Sequence, residues 1–145
     1  GVDGIILPEL PMYEYETQYQ QFFVKSNLKF IFLVTPETSE ERIRKIDSLA
    51  SGFIYAVSSS STTGNAKTPA DEKIIENQQA YFKKLGTMNL TNPILVGFGI
   101  KDKQTFDAAC AYTNGAIIGS AYINALKNTT GIAATTKDFI NRIKG

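Results

Sequence analysis

The sequence predicts an α/β fold: a parallel sheet covered by helices. Three observations carry this. Short, almost wholly apolar runs recur along the chain. Each is followed by a segment of helical composition, and the pair repeats five times to the end. Strands buried on both faces read as continuous apolar runs, and parallel neighbours need a crossover that is usually a helix.

The elements follow in order. Gly4 to Leu7 is a strand, short, rich in β-formers and stopped by Pro8. Pro8 and Pro11 bracket a turn. Tyr13 to Ser26 has helical composition, with Tyr15, Tyr19, Phe22 and Phe23 close to one face. Phe30 to Val34 is the second strand, five apolar residues ended by Pro36. Thr38 or Ser39 caps the next helix, in which Ile43, Ile46 and Leu49 or Ala50 recur at helical spacing. Phe53 to Val57 is the third strand. A polar tract follows, Ser58 to Asn65, long for such a loop and so marked as functional or mobile. Asp71 to Leu85 is a helix, with Gly86 as its terminator. Ile94 to Val96 is the fourth strand, leading into Gly97, Phe98 and Gly99. Asp102 caps a helix containing Phe106, Ala109 and Cys110. Ala116 to Ile118 is the fifth strand, and a short helix runs from Gly119, Ser120 and Ala121 to Leu126. Thr135 or Thr136 opens the last helix, with Phe139, Ile140 and Ile143.

Two architectures accommodate this order: an open doubly wound sheet, or part of a (β/α)8 TIM barrel. Five units in 145 residues leave about 29 for each, so eight would need about 230, near the size of a complete barrel. The chain is expected to form a single partial barrel domain over residues 1–145. Gly1 leads almost directly into a strand, and the chain is expected to be a piece of a longer protein.

Composition narrows the function. A formal charge of +1 lacks the dense basic face of a nucleic-acid binder. The chain has no histidine, which excludes Ser-His-Asp and Cys-His catalysis and every histidine-dependent metal site. The single cysteine, Cys110, has no internal disulfide partner, which fits a reducing compartment. The apolar runs fall far short of the roughly 20 residues of a membrane span. The chain opens with no basic, apolar leader, and a cytoplasmic location is expected.

Ligands of such folds bind at the carboxyl ends of the strands. Three segments there are built of small residues: Thr62-Thr63-Gly64, Gly97-Phe98-Gly99 and Gly119-Ser120. Glycine allows close backbone approach, and a helix start offers free N–H groups and a positive dipole end. No lysine or arginine lies within these segments, so an anion there would be held by backbone dipoles and hydroxyls. Glycine loops on the last two strands, followed by a short helix, are a common phosphate grip of barrel enzymes.

Together these motifs resemble the tryptophan synthase alpha subunit family. Gly1-Val2-Asp3-Gly4-Ile5-Ile6-Leu7-Pro8-Glu9-Leu10-Pro11 is similar to its fourth barrel strand and loop, where the family usually has aspartate at the position of Glu9. Phe53 to Ser58, leading to Thr62-Thr63-Gly64, resembles its sixth strand and mobile sixth loop. Gly97-Phe98-Gly99-Ile100 and Gly119-Ser120-Ala121 resemble its seventh- and eighth-strand phosphate motifs. The resemblance spans essentially the whole chain. It departs at Ser59 and Ser61, where many members carry arginine or glycine.

The resemblance implies a lyase of tryptophan biosynthesis that splits indole-3-glycerol phosphate into indole and glyceraldehyde 3-phosphate. Gly64, Gly97, Phe98, Gly99, Gly119 and Ser120 would surround the phosphate. Tyr55 and Leu33 would face the substrate, and Thr63 would help close the sixth loop. The family's acid/base pair, a glutamate on its second strand and an aspartate in the loop after it, lies outside these residues, so the chain alone is expected to be inactive. No cofactor is expected in this subunit, and pyridoxal phosphate only in the beta subunit that receives the indole. Pro11 would lie near that partner.

Each singled-out residue has a plainer reading. Glu9 ends a strand as a local carboxylate but shows no sign of a general base. Tyr55 is core filler if it points outward. The serine tract is a simple loop, or a lid by its position. The tyrosines from Tyr13 to Tyr19 pack a helix. Cys110, among alanines, is expected to be buried and inert. Asn128-Thr129-Thr130 matches a glycosylation sequon by accident. Two other functions compete: another phosphate-binding barrel enzyme, a sugar-phosphate isomerase or epimerase, which would lack the sixth-loop pattern ending at Gly64; and a non-catalytic half-barrel that self-associates through open edges.

Overall fold

In the computed structural model the described residues are 1–58, 69–97 and 99–145, with residues 69–72 described by backbone alone. Five short strands pair in parallel: β1 Gly4–Ile6, β2 Lys29–Val34, β3 Ile54–Val57, β4 Ile94–Gly97 and β5 Gly115–Ala116. Each lies beside the next in sequence, giving the order β1-β2-β3-β4-β5. A doubly wound sheet reverses partway and sets a later strand beside the first. The unbroken order is that of a barrel wall, so the doubly wound alternative is excluded and the fold is a partial (β/α)8 barrel.

Between the strands run α1 Met12–Glu14, a π-helical stretch Tyr15–Tyr19 and α2 Gln20–Lys25, then α3 Glu40–Leu49, α4 Pro69–Thr87 and α5 Lys103–Cys110. After β5 come α6 Ser120–Leu126 and α7 Ile132–Lys144. Side chains alternate across a strand, and the core shows which face the helices cover. Phe30, Phe32 and Val34 of β2, Ile54 and Ala56 of β3, and Ile94 and Val96 of β4 are buried in one cluster. With them lie Tyr15, Phe23, Ile43, Ile46, Tyr81, Phe82 and Leu85 from the helices. Leu33, Tyr55, Val57 and Leu95 alternate to the opposite face, are half-buried and stand outside that cluster.

Aromatic packing anchors the first helix. The Tyr15 ring stacks on Phe30 at 4.4 Å between centroids and meets Phe32 edge-on at 5.1 Å. Such pairs add about 0.5–1.5 kcal/mol each beyond the area they bury. Tyr81, buried on α4, donates its hydroxyl to the Val34 carbonyl at 3.1 Å. Burial, with Glu37 adding to it, pushes that hydroxyl's pKa well up, so Tyr81 stays a neutral donor.

Caps and turns fix the remaining elements. Ser39, rather than Thr38, caps α3 and accepts from the Arg42 N–H at 3.3 Å. The Thr38 hydroxyl instead accepts from the Thr35 N–H at 2.9 Å. Asp102 caps α5 in a reciprocal box with Thr105, the side chain of each bonding the other's backbone N–H. Asp47, near the end of α3, accepts from the N–H groups of Thr91 and Asn92, both at 2.8 Å, and so ties α3 to the turn before β4.

Four expectations need correction. Gly86 does not end its helix, because α4 continues to Thr87. Its role is steric: a Cβ there would lie 2.5 Å from the Tyr112 carbonyl oxygen. The last helix opens at Ile132, not at Thr135 or Thr136, with Gly131 at its cap position. Thr135 is already inside: its N–H donates to the Gly131 carbonyl, and its hydroxyl lies 2.6 Å from that of Thr129. The fifth strand is Gly115–Ala116 rather than Ala116 to Ile118, and its last ladder contact is the Ile117 N–H donating to the Val96 carbonyl. Tyr19 and Phe22 do not share the buried face of Tyr15 and Phe23 but are exposed. The π-helical stretch, in which the Gln20 N–H reaches the Tyr15 carbonyl five residues back, turns the helix out of α phase.

Candidate functional site

Because all five strands run parallel, their carboxyl ends share one edge of the sheet. The most constrained part of that edge joins β3 and β4. Val57 and Gly97 are register partners. The next residue, Ser58, is 4% exposed and is the only buried polar residue among the described ones. Its N–H and its hydroxyl both donate to the Gly97 carbonyl, each at 3.2 Å.

Tyr55 lies two residues back along β3, on the open face of the sheet. Its ring fills the space where any Cβ at position 97 would stand. A side chain at 97 would therefore have to displace that ring. Burial pushes the Tyr55 hydroxyl's pKa up, so the phenol is neutral at ordinary pH and is not a base. Leu33 is its register partner on β2, half-buried on the same face. Past β4, Gly99 has φ of 74°, a conformation that favours glycine.

On the neighbouring strand, Ala116 pairs with Val96, and the Ile117 N–H donates to the Val96 carbonyl at 2.7 Å. Gly119 then precedes α6, and no side chain bonds the open N–H groups of the helix's first turn from the cap position. A Cβ on Gly119 would meet nothing within 4 Å, so the space beside it is open. Gly119 and Ser120 are both exposed.

The structure thus brings Tyr55, Leu33, Gly97, Gly99, Gly119 and Ser120 to neighbouring positions on one face or edge. Thr63, Gly64 and Phe98 lie outside the described residues, as do Ser59, Ser61 and Thr62. Glu9 and Pro11 are exposed in the turn after β1, beyond β2 and away from the glycine turns. Cys110 is half-buried rather than buried, because α5 turns only Ala109 fully inward. Burial and then Asp107 push its thiol's pKa up against the opposing Lys144, which keeps it protonated and unreactive at neutral pH.

Ser58 is the residue that composition hid, as the first of four serines in an unremarkable polar run. Its only signal is position, the first small polar residue after a strand. Among the described residues, no group of three His, Cys, Asp or Glu side chains converges on a metal-sized site. None of the described helices is long and apolar enough to cross a membrane. Glycine turns, a helix start and a hydroxyl suit the binding of an anion such as a phosphate ester. They do not supply proton transfer.

Comparison with known proteins places this edge in context. The profile of the tryptophan synthase alpha chain family matches residues 1–144. The tryptophan synthase alpha chain of Parabacteroides distasonis is 49% identical over 144 residues, 99% of this chain and 54% of that one. That of Christiangramia forsetii is 46% identical with the same coverage. Among solved structures, the tryptophan synthase A-subunit of Pyrococcus furiosus superposes with a TM-score of 0.75 at 27% identity, covering 99% of this chain and 55% of that one. The tryptophan synthase complex of the same organism gives a TM-score of 0.75 at 23% identity, a likeness of fold. The chain spans about half the length of the relatives it matches.

Proposed function

We propose a function on one premise: the chain belongs to the tryptophan synthase alpha chain family. The complete protein is a lyase of tryptophan biosynthesis that cleaves indole-3-glycerol phosphate to indole and glyceraldehyde 3-phosphate. This chain carries the phosphate grip, with Gly97, Gly99, Gly119 and Ser120 and, outside the described residues, Gly64 and Phe98. Tyr55 and Leu33 face the indole end, and Thr63 helps close the loop after β3.

The observation that supports this reading is the Tyr55 ring lying against Gly97 at the carboxyl end of β4, the strand next to the one that α6 follows. An aromatic phosphate ester requires such an apolar wall close to backbone donors. The reaction needs a carboxyl group to take the indole N–H proton and an acid to protonate the ring carbon that leaves. No residue of this chain is assigned either role. The grip contributes by positioning, holding the glycerol phosphate tail so that those groups meet the reacting atoms.

The partner is a tryptophan synthase beta subunit, which holds the pyridoxal phosphate. This subunit is proposed to work without a cofactor, in the cytoplasm, and without nucleic-acid or membrane partners. A sugar-phosphate isomerase or epimerase would share the glycine turns but not the family membership.

The test is indole release from indole-3-glycerol phosphate by the full-length natural protein carrying this sequence, with and without a beta subunit. Turnover supports the reading, and none under either condition sinks it. The 145-residue chain by itself is expected to give no turnover.

A further inference from the structure

We propose that Ser58 is a positioning residue for the phosphate turn, locking the exit of β3 onto the start of the turn after β4; this rests on the phosphate-site reading above. A buried hydroxyl costs stability unless it is hydrogen-bonded. The backbone N–H of Ser58 already satisfies the Gly97 carbonyl at 3.2 Å, so the ladder does not require the hydroxyl. The hydroxyl nonetheless donates to that same carbonyl, also at 3.2 Å, and fills its second lone pair.

The target explains the redundancy. Gly97 ends β4 and Gly99 follows at φ 74°, and neither has a side chain to restrict its own backbone. Gly97 is confined at its Cα by the Tyr55 ring and at its carbonyl by Ser58. A peptide plane is rigid, so fixing the carbonyl fixes the plane of the peptide that leaves Gly97. Backbone donors act on an anion best when their orientation is set before it arrives.

The experiment is Ser58→Ala in the full-length natural protein, with two probes: glycerol 3-phosphate, which carries the anion, and indole, which does not. The expected result is glycerol 3-phosphate binding weakened about fivefold, the scale of one net hydrogen bond. KM for indole-3-glycerol phosphate should rise by a similar factor, with kcat changed less than about twofold, as for uniform binding. Indole binding should be unchanged. Equal weakening toward both probes, or no change toward either, overturns the proposal, because a merely structural role would not select the anion. If Ser58→Ala fails to fold, Ser58→Cys, with its weak S–H donor, takes its place under the same criteria. If the unmodified protein does not cleave indole-3-glycerol phosphate, the lyase reading falls, while glycerol 3-phosphate calorimetry still judges Ser58. Absence of glycerol 3-phosphate binding to the unmodified protein overturns both.

Discussion

A methyl group added to Gly97 would fall on the outer end of the Tyr55 ring, which would have to swing out of its present place. Gly97→Ala is expected to cost about 1–3 kcal/mol, the usual scale of overpacking. Tyr55→Val in the same molecule should return part of that loss. Urea unfolding of the two single variants and the double variant gives the coupling, and strict additivity would refute the contact. Asp47 offers a test by pH. Burial works to raise its carboxyl, but hydrogen bonds from Asn92 and Thr91 outweigh it and leave the pKa below the ordinary value. A depressed carboxyl contributes stability that is full above its unfolded pKa and is lost as pH falls through the folded one. That contribution is present at neutral pH and should fade below about pH 4. Asp47→Asn should lower the urea midpoint at pH 7 and flatten its decline between about pH 5 and 2. An unchanged slope would mean that the carboxylate is not the group responsible.

Among the elements, α4 sets two effects against each other at Gly86. Alanine in a helix is favoured over glycine by about 1 kcal/mol. Here its Cβ would stand 2.5 Å from the Tyr112 carbonyl, a backbone atom that cannot swing aside. The clash, about 1–3 kcal/mol, should win. Gly86→Ala is expected to lower the unfolding midpoint, and a rise would show that the turn before β5 yields easily. The same residue shows how far pattern reading reaches. Glycine near a helix end reads as a terminator, and nothing local reveals the carbonyl that actually selects it. The first four strands are legible because each holds a compact apolar run, whereas β5, a glycine and an alanine, is not, and Asp102 and Ser39 are legible because a cap is local chemistry. The π-helical stretch at Tyr15–Tyr19 and the helix start at Ile132 were not, since one depends on packing and the other has glycine in place of a capping side chain. At the site, the glycines and Tyr55 could be named from the sequence. The link from Ser58 to Gly97 could not, because 39 residues separate them and only the register of β3 against β4 brings them together.

For the molecule as a whole, the decisive fact is that helices cover one face of the sheet while Leu33, Tyr55, Val57 and Leu95 occupy the other. Ile6 on β1 is 41% exposed, and among the described residues β1 and β5 each pair along one edge alone. Exposed strand edges and apolar faces recruit further chains. The 145-residue chain on its own is therefore expected to self-associate, with a sedimentation coefficient that rises with concentration. A concentration-independent monomer would refute this. The strand order has one more consequence, and it concerns synthesis. Each of β2 to β5 finds its preceding neighbour already emerged when it leaves the ribosome. Growth can proceed one βα unit at a time, each new strand pairing with the one before it across a single crossover.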